Sequence, residues 1–309
     1  MWRGSGAVIA RNPLIAGHYY NGDLSLLGYL ADTIRAISPR ILSVSSFTVL
    51  KSSASSKDKV SAVDEYKIFW GDLLSSLPNL TIVIAASNDS LTSYSALTSK
   101  SGSYPAELIA FYELRAAPAT ANRIVVVTSV SQSGSRSLFA NDFAGLTDIA
   151  APGDSVPVLE YSGNSYGSRL KGTSLSAPFV AGVLTLGLTM DPSLTPSQLK
   201  SLLLSGASAR KGRNSSGTVI NASTISGGSV YPVDAYAFLS LVSERSATLP
   251  LCGATVGFDW VGSNFVFRYN LTGAERLGPS MPTGFLNLDG FSVAPGGRRI
   301  AANGWDDPT

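Results

Sequence analysis

The residue whose type and setting point most directly to chemistry is Ser174, inside the string GTSLSAPFVAG from Gly172 to Gly182. A hydroxyl becomes a useful nucleophile when it stands exposed at the junction into a helix, where a glycine permits a tight turn and the helix N-terminus adds partial positive charge. Gly172 supplies the glycine. The run that follows, Ala177, Val180, Ala181, Val183, Leu184, Leu186 and Leu188, is apolar on nearly every side, as expected of a helix buried inside a domain. Pro178 is expected in its first turn, where a missing N–H does no harm. Gly172-Thr173-Ser174 on its own also reads as a turn capping an ordinary core helix. Acyl transfer through a serine needs a base, a group that orients the base, and donors for the oxyanion. The chain has 1 histidine, His18, and 1 cysteine, Cys252, so one imidazole is available for testing as the base and no internal disulfide can form. Cys252 reads as a small packed residue rather than a second nucleophile.

The elements that must hold Ser174 follow from hydrophobic spacing. Ala7 to Ala10 reads as a short strand, and Asp23 to Ile37 as a helix with Leu26, Leu27, Leu30, Ile34 and Ile37 on one face. Ile41 to Phe47 is a second strand. Val60, Val63, Tyr66, Phe69, Trp70, Leu73 and Leu77 mark a second helix, and the apolar runs Leu80 to Ala86 and Ile124 to Val130 mark further strands. Continuous apolar runs alternating with helices imply parallel strands covered on both faces, so the expected fold is α/β: an open, mostly parallel sheet with helices on both faces. In such sheets the site lies at the carboxyl ends of the strands. From Ser246 the texture changes to alternating aromatic and polar residues with Gly-Pro and Pro-Gly-Gly turns. Residues 246–309 are therefore expected to be a small β-rich extension, with Phe291 to Ala301 as a hairpin, and 1–245 the main domain.

Charge excludes some partners. With 23 basic and 21 acidic residues and no basic cluster, neither nucleic acid nor a membrane surface is an expected partner. Apolar stretches are broken by Ser, Asn and Gly before a bilayer-spanning length, so no membrane span is expected. Ala-Val-Ile-Ala near the start is shorter and weaker than a signal-peptide core, so any export signal is expected to be missing from this sequence.

GTSLSAPFVAG resembles the nucleophile segment of the subtilases, the subtilisin-like serine peptidases, with Phe179 standing where many members carry histidine. The resemblance continues in order through Ile41-Leu42-Ser43-Val44-Ser45, Ile82 to Asn88 (IVIAASN), Ile124 to Val130, and Asp148 to Val156 with its Ala-Ala-Pro-Gly, and runs on from Thr195 to Leu204 and from Val230 to Leu239. It implies that Ser174 is the nucleophile of a serine endopeptidase and Asn88 the side-chain oxyanion donor. Asn88-Asp89 alone would read as an ordinary turn after a strand. The resemblance further implies that Ser45, Ser46 and Phe47 offer backbone to an extended peptide or protein substrate, that Ala86 and Ser87 line the pocket for its side chain, and that Asp89 sits at the pocket rim as an exposed carboxylate. The family usually has glycines where Phe47 and Thr48 stand, which implies a narrower or differently aimed groove. The loop from Asp89 to Asn122 is longer than in compact members. No cofactor is implied, and no loop carries a convincing cluster of metal ligands. The family also implies an extracytoplasmic or secreted protein.

Two parts of the machinery are missing. His18 lies in Ala-Gly-His-Tyr-Tyr-Asn-Gly rather than the family's His-Gly-Thr-His, and no Asp-Thr/Ser-Gly segment is present. By resemblance His18 is a groove or surface residue, and the catalytic aspartate and histidine would both precede Met1. The expectation is an N-terminally incomplete peptidase domain, inactive by itself. The rival reading is a degenerate, catalytically inactive subtilase fold that binds peptides or serves a structural role.

Overall fold

The computed structural model describes residues 27–45, 47–51, 53–100, 103–131, 133–159, 166–209, 211–213, 219–221, 224–225, 230–246, 255–261, 264–270, 275–281, 288–293 and 300–304. The Ala7 to Ala10 strand, His18, Ser46 and Cys252 lie outside them. The chain divides into two compact units, one of them His18–Val242.

That unit is built on a four-stranded parallel sheet in the order β1 (Ile41–Val44), β2 (Thr81–Ala85), β3 (Ile124–Val130) and β4 (Ile149–Pro152). The register pairs Ile41 with Thr81, Ile82 with Ile124, and Val127 with Ile149. β2 and β3 are buried along their whole length, which is why they read as unbroken apolar runs. β1 ends at Val44 rather than Phe47 and, among the described residues, is the sheet edge opposite β4.

Because side chains alternate across a strand, each strand feeds two cores. Ile82, Ile84, Ile124 and Val126 face α1 (Leu27–Ile37), α2 (Ser56–Ser76) and a helix from the 89–122 segment. Val83, Ala85, Val125, Val127, Ile149 and Ala151 face α5 (Thr173–Met190), α6 (Pro196–Ala209) and α7 (Ala235–Ser246). The 89–122 segment, read from sequence as a long loop, contains α3 (Tyr94–Thr98) and α4 (Ala106–Ala116). Residues Ala106 to Tyr112 are all buried, so α4 is a core helix packed on α2 and β3. Helix starts carry the side chains such starts need: Ser55 and Asp58 form a reciprocal capping box on α2, and Thr195 with Gln198 does the same for α6.

Among the described residues α5 alone is long and apolar enough to cross a membrane, with a mean hydropathy of 1.4. It packs against all four strands as the central helix of this unit. Two short antiparallel pairs, β5 (Val156–Leu159) with β6 (Tyr166–Leu170) and β7 (Lys211–Arg213) with β8 (Val219–Asn221), flank it in sequence.

The other unit contains an antiparallel sheet in the order β11 (Glu275–Met281), β10 (Asn264–Asn270), β9 (Thr255–Val261), and a hairpin of β12 (Leu288–Val293) with β13 (Ile300–Gly304). The hairpin pairs Val293 with Ile300 and Phe291 with Ala302.

Candidate active site

Ser174 is the second residue of α5, half-exposed, at the carboxyl end of the sheet. The residue before the helix, Gly172, has φ 154 and ψ 146, a region essentially reserved for glycine. A methyl group there would lie 2.8 Å from Ser174 Oγ, 3.6 Å from Asn88 Nδ2 and 3.8 Å from the Ser174 backbone nitrogen. The hydroxyl, the side-chain amide and the backbone N–H therefore converge on one small volume.

Asn88 reaches that volume from the loop after β2, and its orientation is fixed. Its Oδ1 accepts from the Thr173 N–H at 2.9 Å and from the Thr173 hydroxyl at 3.1 Å. The first N–H of α5 is thus capped from another element, and because Oδ1 is the acceptor, Nδ2 must be the atom turned toward Ser174. Among the described residues nothing accepts from Nδ2.

Pro178, expected in the first turn, lies further inside α5. Proline has no N–H, so the carbonyl four residues earlier, that of Ser174, loses its helical donor. The Ser45 hydroxyl donates to that carbonyl at 3.2 Å. The sequence thus breaks one helical hydrogen bond at the nucleophile and repairs it from the end of β1.

Close packing holds the turn from beneath. Gly172 N–H donates to Gly153 O at 2.8 Å, and the Ser176 hydroxyl donates to Ala151 O at 3.0 Å. A methyl group on Gly153 would meet Ser176 Oγ at 2.2 Å, Ser129 Oγ at 2.6 Å and Gly172 O at 2.8 Å. Ala-Ala-Pro-Gly therefore needs its glycine because the backbone of the serine turn lies against it.

The expected substrate-contacting residues divide. Ser87 has φ 77, a left-handed conformation uncommon outside glycine, and bends the chain so that Asn88 projects outward. Ala86, expected to line the pocket, is fully buried: its N–H continues the sheet to Val127 O, so it offers no surface to a bound side chain. Asp89, expected as an exposed carboxylate, is half-buried and ion-paired with Lys100. It also accepts from the Ser87 hydroxyl at 2.9 Å, while its own N–H donates to Asn141 Oδ1 at 3.0 Å. Burial opposes its charge, but Lys100, Ser87 and Asn141 outweigh it and hold the carboxyl below its ordinary range. Phe47 turns inward, its ring 6.0 Å from that of Phe111 and edge-on to it. The Thr48 N–H donates to Glu107 Oε2 at 2.8 Å and is not free to pair with a substrate strand.

Sequence reasoning gave no role to Thr173, Gly153, Asn141 or Glu107, although Thr173 and Gly153 stand in strings that carry the resemblance. Glu107 was marked by its context, a lone carboxylate in the apolar stretch Ala-Glu-Leu-Ile-Ala-Phe-Tyr. It is 5% exposed and accepts from Trp70 Nε1 at 3.1 Å as well as from Thr48. Burial pushes its carboxyl up, against the pull of those two donors. Among the described residues no group of three or more His, Cys, Asp or Glu side chains is placed to hold a metal ion.

Residues 18–222 match the model of the subtilase family. The sequence is 35% identical over 102 residues to alkaline serine exoprotease A of Vibrio alginolyticus, a stretch covering 33% of this chain and 18% of that protein. It is 32% identical over 144 residues to an extracellular protease of Xanthomonas campestris pv. campestris, covering 44% and 21% respectively. It is 29% identical over 125 residues to an extracellular serine proteinase of Thermus sp. strain Rt41A, covering 40% and 25%. The chain thus spans a quarter or less of the length of these relatives.

Proposed function

Because the chain belongs to the subtilase family, we propose that it is the nucleophile-bearing part of a serine endopeptidase domain acting on peptides or proteins. Ser174 Oγ attacks the carbonyl carbon of a peptide bond while its proton passes to a histidine. The electron pair displaced onto the carbonyl oxygen is received by the Ser174 N–H and the Asn88 Nδ2–H. Collapse expels the amine with that proton and leaves an acyl ester on Ser174, which water cleaves by the same steps. The histidine and the aspartate that orients it are supplied by residues outside this sequence, since His18 lacks the surroundings of the family's base.

The observation that carries the reading is the fixing of Asn88 by Thr173, which aims its donor at the volume shared by Ser174 Oγ and N–H. Two of the matched relatives are named as extracellular, and on that basis the protein works outside the cytoplasm.

Expressing residues 1–309 and assaying them with a peptide substrate and a serine-directed fluorophosphonate, against Ser174→Ala, tests this. Without a base Ser174 remains a neutral alcohol. Oxyanion donors and binding then leave about a thousand- to ten-thousandfold over water, a range taken from serine peptidases including subtilisin itself. Ser174-dependent turnover near that of an intact subtilase would overturn the assignment and return His18 to the role of base. The second reading is an inactive module that binds peptides or serves a structural role; the loss of the Thr48 N–H to Glu107 as a partner for a substrate strand favours its structural form. An in-frame Asp-Thr-Gly and His-Gly-Thr-His immediately upstream in the genome decides for the enzyme.

A further inference from the structure

The segment 89–122 contains α3 and α4 and touches both sides of the groove that the peptidase reading assigns to the substrate. We infer that Glu107 and Lys100, both on this segment, are positioning residues that hold the two walls of the substrate groove in place. The inference rests on that reading for the identity of the groove.

One wall is the chain after β1. Its Thr48 N–H is held by Glu107 Oε2, whose other oxygen is engaged by Trp70, so the carboxylate is a fixed bracket between α2 and the wall. Two residues on, Leu50 and Tyr104 exchange backbone hydrogen bonds of 2.8 and 3.1 Å, tying the same stretch to the residue that leads into α4. Phe47 packs edge-on against Phe111, one helical turn beyond Glu107. The other wall is the loop carrying Ser87, Asn88 and Asp89. Lys100, between α3 and α4, takes Asp89 through an ion pair, and the Tyr112 hydroxyl donates to Ala86 O at 3.4 Å. Glu107, Phe111 and Tyr112 are thus successive contacts from one helix to both walls.

The far end of α4 is pinned as well. Arg115 in its last turn makes a double hydrogen bond to buried Asp148, and Glu113 pairs with Lys67 of α2 at 2.8 Å. A helix fastened at both ends transmits its position to whatever it holds. Glu107 itself does no chemistry here: it is buried, and both its oxygens already accept.

The test uses the 309-residue chain, its Glu107→Gln and Lys100→Met variants, and a fluorescein-labelled extended tetrapeptide amide as probe. Hydrogen exchange followed by mass spectrometry reads the walls, and fluorescence anisotropy reads the peptide. The Glu107→Gln side chain has a single acceptor oxygen and can serve only one of the two donors. Amides in 47–50 should therefore exchange at least tenfold faster in that variant, while those in 63–73 of α2 keep their protection. In Lys100→Met the faster amides should be those in 87–91. That variant removes a partly exposed side chain, so folding is not at stake. Each variant should bind the peptide at least fivefold more weakly than the unaltered chain. Unchanged exchange in both wall segments overturns the inference, as does faster exchange with unchanged peptide affinity. If the unaltered chain binds no peptide, the peptidase reading fails first and takes this inference with it.

Discussion

Replacing Asp148 with asparagine removes the charge on which three elements converge. The carboxylate is 1% exposed and sits at the start of β4. It receives Arg115 of α4 at 3.0 and 2.9 Å through Nε and at 2.6 Å through Nη2, Lys200 of α6 at 2.8 Å, and the Val126 N–H of β3 at 2.9 Å. Asparagine keeps the shape but offers one acceptor and turns an N–H toward a donor. Lys200, with a side chain 5% exposed, would be left with the carbonyls of Ala121 and Ile124. Breaking a buried ion pair by removing one partner costs about 3–5 kcal/mol, chiefly because the other charge stays buried and uncompensated. The expected loss for Asp148→Asn is in that range, read as a fall in the urea midpoint with the slope unchanged. Lys200→Met in the same background should recover at least about 1 kcal/mol, because it withdraws the stranded ammonium. A loss below about 1 kcal/mol, or a further loss on adding Lys200→Met, would refute the reasoning.

Lys200 also sets a pH dependence: burial, only partly offset by Asp148, lowers its pKa from 10.5 to about 8. The unfolded chain keeps that proton to about pH 10.5 and the folded chain releases it near 8, so this contribution to stability is present above 10.5 and lost as pH falls through 8. It amounts to about 3 kcal/mol at roughly 1.4 kcal/mol per tenfold change in proton affinity, and the difference in urea midpoint between wild type and Lys200→Met at pH 7 and pH 10 should show it; parallel profiles would not be compatible. Gly153→Ala should destabilise by about 1–3 kcal/mol through overpacking against Gly172 O, whereas Gly182→Ala, with nothing within 4 Å, should stabilise by about 0.5–1 kcal/mol; thermal denaturation separates the two signs. Asn88→Asp keeps both acceptor bonds to Thr173 but loses the donor, so in a form of the protein carrying its base, turnover should fall by about a hundred- to a thousandfold, a magnitude that comes from subtilisin rather than from this chain. An Asn88→Asp enzyme within threefold of wild type would remove Asn88 from the oxyanion site.

The sheet and its helices were legible in the residues themselves because β2, β3 and α5 are apolar nearly throughout, and such runs have few alternative placements. The roles proposed for Ser174 and Asn88 came from the family resemblance of the longer strings around them, since Gly172-Thr173-Ser174 and Asn88-Asp89 by themselves read as a helix cap and a turn. What escaped was every relation between distant strings. The Asp89 carboxylate looked solvent-facing because its partner, Lys100, sits beyond a turn and a short helix with no periodic signal linking the two. Ala86 looked like pocket lining because nothing local says that β2 still donates to Val127 O at that residue. The 89–122 segment looked like a loop because Pro105 and the lone Glu107 interrupt the helical pattern, and only the distant donors Trp70 of α2 and the Thr48 N–H make burial of that carboxylate tolerable.

The bond from Ser45 to Ser174 closes 129 residues of chain, and that from Thr173 to Asn88 closes 85. Contacts so far apart in sequence incur their loop-closure entropy before they return any interaction, so they form late in folding. Helices and strand pairs that rest on nearer contacts can assemble while the serine turn is still unfastened. In a form of the protein that carries its base, refolding should restore the far-ultraviolet dichroism before Ser174 reaches its final reactivity toward a fluorophosphonate, and the interval between the two signals times the closure of the sheet around the nucleophile.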